Sequence, residues 1–188
     1  MKALFSFFTV ALLFVSNAAW AGDFAVAVGF RSNSADADVS GYTITSKTGY
    51  GLGAIGFFDV GNQLQVRSGF LYNQRNYTLT QTGVPDKDLN MSYVDIPVTA
   101  MYKFADYAGA FAGPVFGLLA SKECKASGGC SSVENPSSMV VGFQMGASFK
   151  FAPQMGGEIY YEIIPTKFWK NLAENARTVG ANFLITFE

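Results

Sequence analysis

The sequence contains no histidine and few charged residues. Histidine is absent from all 188 residues, and only 14% of them are charged, against about a quarter in a typical soluble domain. Histidine-dependent activation of a serine, cysteine or water nucleophile is therefore excluded, whereas carboxylate and Ser-Lys mechanisms are not. The formal net charge is −1, which gives no electrostatic basis for nucleic-acid binding. The composition therefore predicts no nucleic-acid partner and no histidine-dependent enzyme.

A long apolar run is also absent after the first twenty residues. The longest uncharged apolar stretch, residues 108–120, is interrupted by Gly109, Gly113, Pro114 and Gly117. A membrane-spanning helix needs about twenty apolar residues, whereas a tilted membrane-spanning strand needs only about nine to eleven. If the protein crosses a membrane, we therefore expect it to do so with strands.

The N-terminal segment has the features of a secretory signal peptide. Lys2 precedes an apolar run over residues 4–15, and residues 19–21 read Ala-Trp-Ala, a small-x-small cleavage pattern. We expect cleavage after Ala21, which leaves residues 22–188 as one domain. No cysteine directly follows the apolar run, so a lipoprotein anchor is not predicted.

Apolar residues alternate with polar or small residues in eight segments of the remaining chain. Such a period of two is typical of β-strands. The connections alternate between short ones (residues 59–62, 105–107 and 152–154) and long polar ones (residues 34–49, 75–90, 121–138 and 165–175). Short periplasmic turns and long extracellular loops are characteristic of outer-membrane barrels. The sequence therefore predicts an all-β, eight-stranded, antiparallel up-and-down transmembrane β-barrel with both termini on the periplasmic side.

The two faces of each strand are expected to lie in different surroundings. In a membrane barrel the apolar residues face lipid and the polar residues face the lumen. The predicted lumen polar network consists of Arg31, Arg67, Asp95, Lys103, Lys150, Glu158 and Glu162. Side chains fill the interior of an eight-stranded barrel, so a conducting channel is the least favoured function. Glu158 and Glu162 lie about 13 Å apart along one strand, too far for a paired-carboxylate catalytic site.

The remaining motifs predict no cofactor and no metal site. Cys124 and Cys130 lie in one predicted extracellular loop, where an oxidising compartment favours a disulfide. Residues 51–56 match the dinucleotide-binding fingerprint literally, but they lie inside a period-two segment. Residues 36–41 resemble the start of a calcium loop without its final glutamate. Phe168 and Trp169 fit an interfacial aromatic belt, and Pro97 and Pro114 are each predicted to mark a β-bulge.

Three segments resemble known outer-membrane proteins. The last strand resembles the C-terminal signal that the barrel-assembly machinery reads, although Glu188 follows its final aromatic residue; its alternate positions are Val179, Ala181, Phe183, Ile185 and Phe187. Residues 93–98 with 102–104, and residues 112–114 with 117–119, are similar to the fourth and fifth strands of the PorT-like family. More broadly the chain resembles small barrels of the OmpX and OmpA type. The resemblance implies a bacterial outer-membrane location, lipid and lipopolysaccharide as neighbours, and a transport, adhesion or structural role.

We therefore expect a non-enzymatic outer-membrane protein with a structural or surface-interaction role through its extracellular loops. Two alternatives remain open from the sequence. One is a soluble, lipocalin-like periplasmic carrier, which would place the apolar face inside and the charges outside. The other is a lipid-modifying barrel enzyme that works without histidine.

Overall fold

The chain forms a single closed antiparallel β-barrel. The computed structural model describes residues 22–37, 41–81, 83–125, 136–165 and 173–187. The strands are β1 (Gly22–Ala37), β2 (Tyr42–Gly61), β3 (Leu64–Gln81), β4 (Val84–Ala105), β5 (Ala108–Lys125), β6 (Met139–Ala152), β7 (Met155–Ile164) and β8 (Ala173–Phe187). They are hydrogen-bonded in sequence order, and β8 closes the ring against β1. The described residues include no helix long and apolar enough to cross a membrane. The predicted eight-stranded up-and-down barrel is confirmed.

The outer face of the barrel is apolar over a band that matches a membrane. Phe30 is 71% exposed and Val179 is 61% exposed, while the neighbouring Arg31 and Thr178 are buried. On β4 the outward apolar residues run from Val94 to Phe104, about 25 Å at about 3.3 Å per residue and a typical tilt of about 40°. The lipocalin-like alternative required apolar residues inside and charges outside. In this band the outer face is apolar and the charges are buried inside, beside a buried apolar cluster. An apolar outer face with buried charges does not support the lipocalin-like alternative.

The strands are longer than the sequence pattern predicted. Only residues 82 and 83 separate β3 from β4, although residues 75–90 were predicted to form a loop. Likewise β1 continues to Ala37 and β2 begins at Tyr42, so most of the loop predicted at residues 34–49 is also strand. The polar composition of these segments led to the wrong prediction, because strands in water carry polar outward side chains. Gly83 has φ +80°, the left-handed conformation that a tight turn requires of glycine.

The polarity of both faces inverts towards the extracellular end. On β3 the outward side chains change from Tyr72 to Thr78, while the inward side chains change from Arg75 to Tyr77 and Leu79. A strand with an apolar inner face and a polar outer face is suited to water rather than lipid. The parts of the strands beyond this change are called the extracellular extension; they comprise residues 32–37, 42–48, 74–81, 84–92, 120–125 and 174–177. The inversion marks the outer boundary of the membrane.

The extracellular extension has a hydrophobic core of its own. Five strands supply the buried residues of this core. Tyr77, Leu79, Leu89, Met91 and Ala176 belong to the extension itself, and Tyr93, Val140 and Ile164 complete the cluster from just outside the ranges given above. Ala35, Ile44 and Leu119 pack against this core from the remaining three strands. β4 has 22 residues and β7 only 10, so the rim is high on one side and low on the other. Its wall is tallest at the β3–β4 hairpin.

The two strand prolines do not form the predicted bulges. The β3–β4 ladder is interrupted opposite Pro97, between the pairs Ser68–Val98 and Leu71–Asp95, and resumes in the same register. The β5–β6 pairing runs through Pro114 without a shift. A proline lacks only its own N–H, so it removes one ladder bond without requiring an extra residue. A register shift on β4 occurs instead between Ser92 and Tyr93, at the level where the polarity inverts.

Candidate functional site

Six charged side chains meet in the middle of the lumen. Each occupies an inward position of its strand and is at most 3% exposed. We call this set the lumen charge layer: Arg31, Arg67, Arg75, Asp95, Glu158 and Glu162. Three guanidinium groups face three carboxylates, so the layer is neutral in total. This balance favours burial of the six charges in the lumen, because each isolated buried ion would cost several kcal/mol.

Arg67 and Glu158 form the most complete pair of the layer. Arg67 Nε and Nη2 donate to Glu158 Oε1 and Oε2, each at 2.7 Å, which is the bidentate geometry of strong charge-assisted bonds. Arg67 Nη1 donates to Gln144 Oε1 at 3.3 Å. The guanidinium carbon lies 4.4 Å from the centroid of the Phe111 ring. Arg67 is therefore held by ionic, polar and cation–π contacts from three different strands.

Arg75 links two carboxylates in a second, branched cluster. Its Nη1 and Nη2 donate to Asp95 at 3.1 and 3.0 Å, and Nη2 also donates to Glu162 Oε1 at 2.6 Å. Arg31 approaches Asp95 at 3.6 Å and donates to the Tyr160 hydroxyl at 2.6 Å. These contacts connect β1, β3, β4 and β7 across the lumen.

Five of the seven predicted lumen residues belong to this layer, and two do not. Arg31, Arg67, Asp95, Glu158 and Glu162 are brought together as described above. Lys103 and Lys150 are only half-buried, and they line a small cavity of about 40 Å³ at the periplasmic mouth. Lys150 Nζ lies 3.6 Å from Asp23 Oδ2. The two lysines lie near strand ends, where water can solvate their ammonium groups.

Sequence reasoning missed Arg75 because it placed residues 75–90 in a loop. The signal was present, since Asn73, Arg75 and Tyr77 continue the period-two pattern of β3 on its inward face. Asn73 Nδ2 also donates to Asp95 Oδ2 at 2.7 Å. Arg75 supplies the third positive charge that balances the three carboxylates.

The side chains of the lumen charge layer bind one another and close the lumen. Guanidinium groups occupy the oxygens of Glu158 and Asp95, so neither carboxylate is presented to a substrate as a base. No group of three or more potential metal ligands occurs in the part of the chain that the structure describes. Above the layer, the core of the extracellular extension fills the lumen with apolar side chains. Towards the periplasmic end, a second buried apolar cluster that includes Ile55, Phe57, Met101 and Leu184 also lies inside the barrel. The lumen is therefore filled by two apolar clusters and by the charge layer.

The outer face of the extracellular extension is a second candidate site, exposed to the medium. Thr43 lies opposite Thr80, and Thr45 lies opposite Thr78, in the β2–β3 ladder. Thr78 Oγ1 donates to Asp88 Oδ1 at 2.8 Å, and Lys47 Nζ lies 2.7 Å from the same oxygen. These hydrogen bonds, first from Lys47 and then from Thr78, lower the pKa of Asp88 below its usual value. The result is a polar sheet surface on which Lys47 of β2 pairs with Asp88 of β4.

Several sequence predictions concern residues outside the described part. Cys124 lies on β5, half-buried against the core of the extension, but Cys130 lies in residues 126–135, which are not described. Their disulfide stays a prediction, as do the signal peptide and the belt role of Phe168 and Trp169. The alternate residues of the C-terminal signal, from Val179 to Phe187, lie on the outward face of β8. Residues 51–56, the literal dinucleotide motif, lie within β2.

Comparison with known families agrees with this geometry. A family model described as an outer membrane protein beta-barrel domain matches residues 7–187. The chain belongs to this family. It is an outer-membrane β-barrel protein, and the bacterial outer membrane is its location. No curated protein matches the sequence significantly.

Two solved structures with low sequence identity, Neisserial surface protein A and AlkL, share the fold. Neisserial surface protein A is 17% identical, with a TM-score of 0.54 over 87% of this chain and 97% of that one. The outer membrane protein AlkL is 12% identical, with a TM-score of 0.50 over 92% and 93% of the two chains. The attachment invasion locus protein Ail of Yersinia pestis is 15% identical, with a TM-score of 0.49 over 88% and 99%. At these identities the likeness concerns the fold alone.

Proposed function

We propose that the protein is a non-conducting, non-enzymatic surface-interaction protein. In this proposal the membrane barrel is an anchor, and the outer face of the extracellular extension presents the binding surface. The observation that carries the proposal is the inversion of polarity along the strands. A sheet with its own hydrophobic core and a polar outer face is a folded structure suited to water. Anchoring in the membrane alone does not require such an extension.

The sealed lumen and the related fold support the same function. Permeation through the lumen would require displacement of both the charge layer and the apolar core above it. Both oxygens of Glu158 and of Asp95 already accept bonds from arginine side chains, which argues against a lipid-modifying enzyme that uses either carboxylate as its acid or base. A neighbour in fold is named a surface protein, which is consistent with a role at the cell surface.

The test separates the extension from the anchor. We would replace residues 78–88 by Asn-Gly, which closes a two-residue turn between the paired residues Tyr77 and Leu89. Cells that carry this variant, the wild type or no protein would be compared for aggregation and for adherence to protein-coated surfaces. We expect the shortened variant to match cells without the protein, while its barrel still migrates anomalously before boiling. Adherence equal to that of the wild type would refute the role of the extension.

Two finer assignments are also part of the proposal. The motifs at residues 93–98 and 112–119 support placement near the PorT-like barrels within the family. The exposed, regularly spaced apolar face of β8 supports recognition by the barrel-assembly machinery. The apolar outer band makes outer-membrane lipid, lipopolysaccharide included, the immediate neighbour of the folded protein; the surface partner itself is to be identified by the adherence assay.

A further inference from the structure

The lipid-facing surface contains a groove that the surface-interaction role does not use. The groove is a wide depression, open to the lipid side, that crosses β6, β7, β8 and β1 and reaches Thr48 on β2; the space above its floor is about 680 Å³. Its floor includes Ala147 and Ala181, which stand on either side of Ile159 in the strand ladders. Small side chains at two of three neighbouring outward positions leave a depression there. Met145, Tyr161 and Val179 form one wall, and Phe30 lies at its β1 end.

The groove has one polar end and otherwise apolar walls, apart from Arg31, whose side chain is buried in the lumen. Ser32 and Thr48, which are paired across β1 and β2, line its end. They are the first polar outward residues beyond Phe30 and Tyr50, so they lie at the extracellular boundary of the apolar band. Arg177 and Asp36, which pair at 2.9 Å, lie just above this boundary. The groove thus runs from a polar rim at the extracellular side into the hydrocarbon region. This order matches an amphiphile whose polar head faces outward and whose apolar tail lies in the membrane.

We propose that this groove binds an acyl chain of lipopolysaccharide, with the polar head of the lipid beside Ser32 and Thr48. Water is excluded from the apolar band, so the occupant must be apolar where it contacts Ala147, Ala181 and Ile159. The polar rim lies on the extracellular side, so the head of the occupant belongs to the outer leaflet. Lipopolysaccharide is the amphiphile of that leaflet. The site goes beyond the surface-interaction role, since all of it except the rim at Ser32 and Thr48 lies below the extracellular extension.

The test fills the groove with an aromatic side chain introduced at one of its alanines. Ala181→Phe and Ala147→Phe each place a ring on its floor, and Ala54→Phe places the same ring on an outward position of β2 that does not line it. Outward aromatic residues are tolerated in the lipid-facing band, and the gel shift on boiling checks that each variant folds. Each purified variant would be incubated in micelles with purified lipopolysaccharide and washed. Retained 3-hydroxy fatty acid per barrel would then be measured, with retained phospholipid measured in a parallel incubation.

We expect near-stoichiometric retention of lipopolysaccharide by the wild type and Ala54→Phe, and loss to background in Ala181→Phe and Ala147→Phe. Equal retention by all four proteins would overturn the proposal, as would absence of retention by the folded wild type. Retention of phospholipid in place of lipopolysaccharide would overturn the identity of the occupant. A wild-type dimer that both groove variants abolish would show that a second copy of the chain fills the groove instead.

Discussion

The bidentate contact between Arg67 and Glu158 makes Glu158→Gln the most informative single substitution in the lumen. The change removes the charge that receives both 2.7 Å bonds from Arg67. Besides one bond to the new glutamine, Arg67 keeps Gln144 at 3.3 Å and the ring of Phe111, so a buried guanidinium remains without a counter-charge. Loss of one partner of a buried ion pair costs about 3–5 kcal/mol of unfolding free energy. We expect the lower part of this range, because the glutamine amide oxygen can still accept one bond.

Glu162→Gln is the matched control, since it removes the same charge from the same strand. Glu162 receives one bond from Arg75, at 2.6 Å, and Arg75 keeps both of its bonds to Asp95. We therefore expect a smaller loss, about 1–2 kcal/mol. The double variant Arg67→Met with Glu158→Leu removes both charges, and it should recover most of the stability that Glu158→Gln loses.

Urea titration in detergent micelles measures these differences, with the folded fraction read from the gel shift on boiling. The expected order of stability is wild type, Glu162→Gln, then Glu158→Gln, with the double variant above Glu158→Gln. If Glu162→Gln were as destabilising as Glu158→Gln, the number of bonds retained by the partner arginine would not determine the cost. If the double variant were less stable than Glu158→Gln, an unpaired buried charge would not be the cause.

Three further outcomes are expected from the same structure. The wild-type protein in planar bilayers should give no conductance steps above baseline, because the charge layer and the apolar core fill the lumen; regular steps would contradict the seal. Leu89→Ala in the core of the extension should cost about 2–5 kcal/mol and should make the extension sensitive to protease on intact cells, while the membrane barrel keeps its gel shift; loss of that shift would show that the two parts are not separable. The pKa of Asp88 is lowered, so its contribution to stability is present above the unfolded value of 3.8 and disappears as the pH falls through the lower folded value. Asp88→Asn should therefore abolish this acid dependence at a cost below about 1 kcal/mol at neutral pH, since the pair with Lys47 is exposed; unchanged acid titration of the variant would contradict the assignment.

The long hairpins show where reading of the sequence failed. Residues 75–90 are polar on average, and polarity was taken to mean a loop. In fact Tyr77, Leu79, Leu89 and Met91 maintain the period of two, with the apolar residues now facing inwards. Where a strand passes from lipid into water, its outer face contacts water instead of lipid. The outward residues therefore become polar and the inward residues apolar, while the alternation with a period of two continues. Because residues 75–90 were assigned to a loop, Arg75 was not included in the predicted lumen network.

The prediction of β-bulges at the two prolines was wrong for a different reason. Pro97 was expected to require a bulge, because a closed barrel has no free edge. The ladder instead loses pairing locally and keeps its register, since the neighbouring strand bonds on both sides preserve the alignment. The chemistry of proline correctly predicted that a ladder bond would be lost. It did not indicate that the pairing of neighbouring residues in a closed barrel would keep the strands in register.

The sequence by itself determined the fold class, the number of strands and the direction of each face in the membrane. A period of two repeated in eight segments, with no apolar run long enough for a helix, permits few other solutions for a chain in lipid. Five of the lumen charges followed from the same alternation. Only the tertiary structure decided which charges pair, where the membrane ends and where the lipid-facing groove lies. Those features depend on the stagger between neighbouring strands, which brings together residues as far apart as Arg67 and Glu158, and the alternation along one strand carries no information about that stagger.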